Sequence, residues 1–195
     1  NQDCFIIELT PSGAISQAHR LGGTRDDRVD CAILNDNEEI VITGITNSND
    51  GHFAASDTLH HLFVSIYDLS GSIQHTNHFN VDDNYEVIRI TEASQSGYLL
   101  TQTQGTYDTM ITFDGWFDRV YYNDNLIASK LDATLIEEWS KTYVTNRNQY
   151  CERAISTDFG FLMCGSHHQR RDTIHYFDPI AQPFLLAIDP VSYTH

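Results

Sequence analysis

Residues 104–125, QGTYDTMITFDGWFDRVYYNDN, set Tyr107, Phe113, Trp116, Phe117, Tyr121 and Tyr122 among Asp108, Asp114, Asp118 and Asp124. Aromatic faces beside carboxylates suit a sugar, whose CH faces stack and whose hydroxyls donate hydrogen bonds. They equally suit the hot spot of a protein interface. The competing reading is a segment that folds over its own sheet and buries those rings locally. Residues 167–182 hold His167, His168, Arg170, Arg171, His175 and Tyr176. The two arginines are the main positive spot of the chain and can hold a carboxylate bidentately. Against that stands an ordinary pairing with Asp172 or Asp178 or plain solvation. Cys164 precedes His167 by three residues, but no second Cys-x-x-Cys and no His-Glu-x-x-His completes a zinc set, so no metal is assigned there.

Asp26-Asp27 and Asp82-Asp83 are paired carboxylates, and hard oxygen ligands suit calcium. No D-x-D-x-D-G loop accompanies them, and aspartate also closes turns by accepting from its own backbone. Turn chemistry is the leading reading, calcium the weaker one, and no other cofactor is expected. Glycoside hydrolysis needs two carboxyl groups roughly 5–9 Å apart, which no spacing here demonstrates. Neither G-x-S-x-G, a P-loop nor a dinucleotide fingerprint is present. Catalytic residues are therefore not assigned.

The chain that must position these groups has 195 residues, 41% of them hydrophobic and 19% charged, which describes a packed globular protein. Eleven Lys+Arg against 27 Asp+Glu leave a formal charge of −16, which repels nucleic acid and anionic membranes. Apolar runs such as Cys4–Ile7 and Ile40–Ile42 fall far short of the ~20 residues of a membrane span. The chain opens NQDCF, without an initiator Met or a signal-peptide pattern, so a processed form or a fragment is expected. Four scattered cysteines, Cys4, Cys31, Cys151 and Cys164, fit structural thiols better than a disulfide framework.

Internal repetition decides the architecture. FIIELTPSGAI at 5–15 returns as FVSIYDLSGSI, IASKLDATLI and FLLAIDPVSY, and Phe5, Phe63, Ile127 and Phe184 begin equivalent strands at separations of 58, 64 and 57. A second strand follows in the first three copies, with Gln17, His75 and Trp139 at matched positions. Between copies lie further apolar pairs, RVDCAIL with EIVITGIT, EVIRIT with GYLLTQTQ, and CERAIS with GFLMCGS, each joined by hairpin-type turn residues. One repeat is thus four antiparallel strands, and no segment shows a helical period. Repeats of this kind predict an all-β chain, a β-propeller of four-stranded blades of about 60 residues. The alternative is a β-sandwich with accidental internal similarity. The boundaries are 1–23 for the last two strands of a first blade, 24–81 and 82–145 for whole blades, and 146–195 for a partial one, all in a single domain. On this plan three long connections, 47–61, 104–125 and 167–182, share one face. They exceed the ~12–15 residues beyond which a structureless connection is usually functional or disordered.

Gly13, Gly22, Gly23, Asp26, Asp27, Gly44, Thr46 and Ser48-Asn49-Asp50-Gly51, with Lys130, Leu131, Asp132, Trp139 and Lys141 in the third copy, resemble a family of bacterial β-propeller repeats. These read roughly D-x-F-V-V-K-L-D-x-x-G-N-x-x-W-x-K-x-x-G-G, then D-D, then G-Y-x-x-x-G-x-T-x-S-N-D-G. The second copy departs, with Asn80-Val81 for Gly-Gly and Gln102 for the glycine at 44. The resemblance implies a secreted, periplasmic or surface-exposed binding scaffold without a common catalytic set. Its partner would be a protein or a glycan. The alternatives are a structural subunit of a larger extracellular assembly and a polysaccharide-acting hydrolase or lyase.

Three consequences are expected. Three to four blades make ring closure marginal against the four to eight of known propellers, so the chain is read as part of a longer propeller or as an oligomer. The turn around 158 and 159 sets Arg153 opposite Cys164 and Cys151 diagonal to it, too far for a disulfide. Trp139 packs against a neighbouring blade.

Overall fold

The computed structural model describes residues 2–57, 59–81, 85–113, 117–144, 147–169 and 182–188, with the backbone alone at 85–87, 106–113, 117–124, 147–148 and 168–169. Its elements are β1 Cys4–Leu9, β2 Ile15–Leu21, β3 Asp27–Leu34, β4 Ile40–Thr46, a 3-10 turn at Gly51–Phe53, β5 His61–Tyr67 and β6 Ile73–Asn80. Then follow β7 Tyr85–Glu92, β8 Tyr98–Phe113, β9 Phe117–Leu131, β10 Glu137–Tyr143, β11 Arg147–Thr157, β12 Gly160–Gln169 and β13 Gln182–Ile188. All neighbours pair antiparallel, in four sheets ordered β1-β2, β3-β4-β5-β6, β7-β8-β9-β10 and β11-β12-β13. The chain is all-β. It divides into two compact units, Asn1–Asp83 and Asn84–His195.

Local chemistry explains the hairpins. In Asp68–Ser72 the Asp68 N–H donates to the Ser72 carbonyl and the Gly71 N–H to the Asp68 carbonyl, while Asp68 Oδ1 accepts from the N–H groups of Ser70 and Ser72. Asp132–Ile136 repeats every one of these bonds, with Asp132 Oδ1 accepting from Thr134 and Ile136. Asn35 does the same for Asn37 and Glu39. A short acceptor at the first position therefore closes the turn. Hydrogen bonding by the Ser70 hydroxyl first, then by the Ser72 N–H, holds the Asp68 carboxyl below the usual carboxylate range. For Asp132 the Ile136 N–H leads.

The strands pack because they are apolar at the right places. Every residue of β5 is buried, and so are six of the seven in β4, which makes these two strands dry on both faces. In the first unit Cys4 and Leu21 of the β1-β2 sheet share a core with Ile42, Phe53, Phe63 and Tyr67. The Phe53 and Phe63 rings stack at 4.0 Å between centroids. In the second, Leu99, Leu126 and Ala128 share a core with Cys151, Phe161, Met163 and Ile188, and Trp139 packs against it, half-buried. Burying one such Phe or Leu fully is worth about 1.5–3 kcal/mol.

Two sequence expectations need correction. Residues 104–113 and 117–125 are not an irregular connection, because β8 and β9 run on there as a paired ribbon from Gln104↔Asn125 to Phe113↔Phe117. Its aromatic and threonine residues favour a pleated strand. Likewise His167 and His168 are strand residues of β12, opposite Gln149 and Asn148.

The register around the thiols also differs in detail. Arg153 does face Cys164, but a bulge at Glu152 sets Cys151 opposite Gly165. A Cβ on Gly165 would lie 1.9 Å from the Tyr150 carbonyl oxygen, so the bulge needs glycine across from it. The β3-β4 pair has the same irregularity between Val29 and Cys31, opposite Gly44, where a Cβ would meet the Arg28 carbonyl oxygen at 1.8 Å. Where Gln102 replaces that glycine, the β7-β8 irregularity moves to Tyr85/Ile88. All four cysteines are free thiols, with Cys4 and Cys151 buried. Burial pushes the Cys4 thiol up to about 11.

Candidate functional site

The β8-β9 ribbon is held by its sheet only at its base. β7 pairs with β8 up to Tyr85↔Gln104 and β10 with β9 up to Tyr143↔Leu126. Among the described residues, 105–113 and 117–125 pair with each other alone. The register sets Tyr107 opposite Tyr122, Asp108 opposite Tyr121, Thr112 opposite Asp118 and Phe113 opposite Phe117. Directly opposed aromatic pairs are the stabilising unit of a two-stranded ribbon, which by itself is marginal in water. Four candidates, Tyr107, Phe117, Tyr121 and Tyr122, thus lie on one ribbon. Asp114 and Trp116 fall at 114–116, outside the described residues, as do Arg170, Arg171 and Tyr176.

His167, by contrast, lies at the end of the β12-β13 pairing, where its Nε2 is 2.9 Å from Oε1 of its β13 partner Gln182. His168 is placed by its backbone only.

Asp26 and Asp27 have structural work. Asp27 is 1% exposed, and its carboxylate accepts from Thr46 Oγ1 at 2.5 Å, Ser48 Oγ at 3.0 Å and the Gly23 N–H at 2.7 Å. The exposed Asp26 accepts from the Gln2 N–H at 2.8 Å, and its own N–H donates to Asn47 Oδ1 at 2.9 Å. Asp50 Oδ1 accepts from the Thr24 N–H at 2.7 Å, and the Arg25 N–H donates to Ser48 Oγ at 3.0 Å. Residues 22–27 and 46–51 are therefore knitted into one polar knot, whose bonds to the carboxylates mostly join separate segments rather than close a turn. Asp82 and Asp83 lie outside the described residues. Among the described residues, no group of three or more His, Cys, Asp or Glu side chains is arranged to hold a metal.

The connection after β4 contains a latch that pattern reading missed. His61, buried at the start of β5, donates from Nε2 to Asp57 Oδ1 at 2.7 Å, and His78 on β6 donates from Nε2 to the Phe53 carbonyl at 3.2 Å. The two rings meet edge-on, 6.2 Å apart. Burial, partly offset by the Phe53 bond, holds the His78 imidazole below the ordinary histidine value of 6.5. The His61 bond holds the exposed Asp57 carboxyl below 3.8. The unfolded chain therefore takes up the His78 proton first. The stability that His78 contributes is intact above about 6.5 and is lost as pH falls from there through its lowered value. Asp57 adds a second loss, as pH falls below 3.8. Amide exchange across 48–57, corrected for intrinsic rates, is expected to quicken between pH 7.5 and 5.5 while β4 and β5 stay protected. Equal protection at both pH values would contradict the latch.

No protein-family model matches the chain, and no curated protein matches it either. No helix of the described residues is long and apolar enough to cross a membrane.

Proposed function

We propose that the chain is a non-catalytic binding or scaffold module that engages a protein or a glycan through the β8-β9 ribbon and the connections beside it. The observation that supports this reading is the ribbon's extension past its own sheet at the place where the sequence concentrates aromatic and acidic residues. Opposed pairs such as Tyr107–Tyr122 and Phe113–Phe117 are accounted for by the ribbon itself, whereas the further rings and the carboxylates of the segment suit a sugar or a protein hot spot. On this reading the four sheets are blades of a propeller, three to four in number, and the protein works outside the cytoplasm, as the resemblance to the bacterial propeller repeats implies.

A second reading, a structural subunit of a larger assembly, draws on a different surface. Phe5, Ile7 and Leu9 lie on one face of β1 with Ile15 opposite Leu9, and Phe5, Leu9 and Ile15 are 71%, 58% and 64% exposed. A further copy or the remainder of a longer propeller would cover them.

The two readings separate experimentally. Glycan arrays and affinity capture are run on the native chain and on Trp116→Ala. Loss of a Trp hot spot removes at least about 2 kcal/mol, roughly thirtyfold in affinity. Binding that is indifferent to Trp116 would remove the ribbon from the account and leave the assembly reading.

A further inference from the structure

A cleft of about 260 Å³ opens in the first unit, between Ile6, Glu8, Gln17 and His19 of the β1-β2 hairpin, Ile40 of β4, and Leu69 and Gly71 of the β5-β6 turn. We propose that this cleft is a receptor for one planar aromatic ring bearing a polar N–H, of the indole type. The proposal is independent of the β8-β9 ribbon.

The repeat itself shows what the space is shaped for. β1-β2 and β9-β10 have the same register: Cys4↔Leu21, Ile6↔His19 and Glu8↔Gln17 in one, Leu126↔Tyr143, Ala128↔Lys141 and Lys130↔Trp139 in the other. Both then slip by one residue at the same point, to Leu9↔Ile15 and Leu131↔Glu137. Gln17 therefore stands where the second unit has Trp139. The strands that follow align through the two bulge glycines, Gly44 and Gly165, which makes Phe161 the counterpart of Ile40. Ala128 and Phe161 belong to the core against which Trp139 packs. Their counterparts Ile6 and Ile40 line the cleft. One unit fills this position with its own indole, and the other places a shorter amide there beside a void.

Size and chemistry narrow the occupant. The volume lies below the ~300–1,000 Å³ of sites for drug-sized ligands, so it takes a single ring system and no oligosaccharide. Ile6, Ile40 and Leu69 offer aliphatic walls to a ring face. The Glu8 carboxylate and the Gln17 amide oxygen offer acceptors to a ring N–H, with Gln17 Oε1 already 3.3 Å from His19 Nε2. Glu8 and the net charge of −16 disfavour a ring that carries a carboxylate. The shared chemistry is thus an uncharged indole, either free or as a tryptophan side chain of a partner.

The test is an amide NMR titration of the native chain with indole, with N-acetyltryptophanamide and with indole-3-acetate. Saturable shifts confined to Ile6, His19, Ile40 and Gly71, with a dissociation constant on the order of 1 mM, are expected for the first two probes and weaker ones for the anion. Shifts from N-acetyltryptophanamide alone would support the site and assign its ligand to a protein partner. Gln17→Trp is expected to abolish the shifts and raise the melting temperature by filling the void. Should that variant fail to fold, Leu69→Ser removes a wall from an exposed turn and is expected to weaken binding at least threefold with the spectrum otherwise intact. No saturable shift from either neutral probe would overturn the proposal. So would shifts that persist unchanged in a folded Gln17→Trp or in Leu69→Ser.

Discussion

Asp27→Ala is expected to destabilise the first unit by about 3–5 kcal/mol in a denaturant melt. The Thr46 and Ser48 side chains are fully buried, and both hydroxyls donate to this one carboxylate together with the Gly23 N–H. Each buried donor left without an acceptor costs about 1–3 kcal/mol. Three of them make a large share of a domain's ~5–15 kcal/mol. Asp27→Asn keeps the shape and one acceptor oxygen, so it is expected to fall between the native chain and the alanine variant. An alanine variant within about 1 kcal/mol of the native chain would show that the knot does not hold the unit together.

Trp139→Ala is the corresponding experiment on the second unit. Truncating a buried Trp costs about 3–5 kcal/mol. Trp139 is half-buried against the Leu126, Ala128 and Phe161 core, which puts the expected loss near the lower limit, about 3 kcal/mol. Differential scanning calorimetry reads it as a clear fall in the melting temperature. An unchanged melt would place the indole outside the packing and would weaken the equivalence with Gln17 as well.

What could be read from the sequence was local. The turn acceptors Asn35, Asp68 and Asp132 bond to residues two and four along the chain, so a short window holds all the information their turns need. The apolar runs that became β4 and β5 were legible for the same reason. So was the pairing of Arg153 with Cys164, because a two-residue turn fixes what lies opposite what. The bulge at Glu152 was not legible, since it depends on the Tyr150 carbonyl closing onto Gly165 across the hairpin. Nor was the strand character of 105–113 and 117–125, because among the described residues neither half pairs with anything except the other. Polar alternation with aromatic residues looks like a loop until the partner strand is known. The His61–Asp57 and His78–Phe53 bonds join residues whose spacing follows no periodicity, and the separation of 17 between the two histidines carries no signal of its own.

The central proposal is that the core and the binding surface of the second unit are separate, with Trp139 packing against the one and Trp116 serving the other. Its most direct test is the melting temperature of Trp116→Ala measured beside its affinity for whichever glycan or protein the native chain captures. The account predicts a melting temperature within a degree or two of the native value and an affinity about thirtyfold weaker. A variant that melts early, or one that binds as the native chain does, would contradict it.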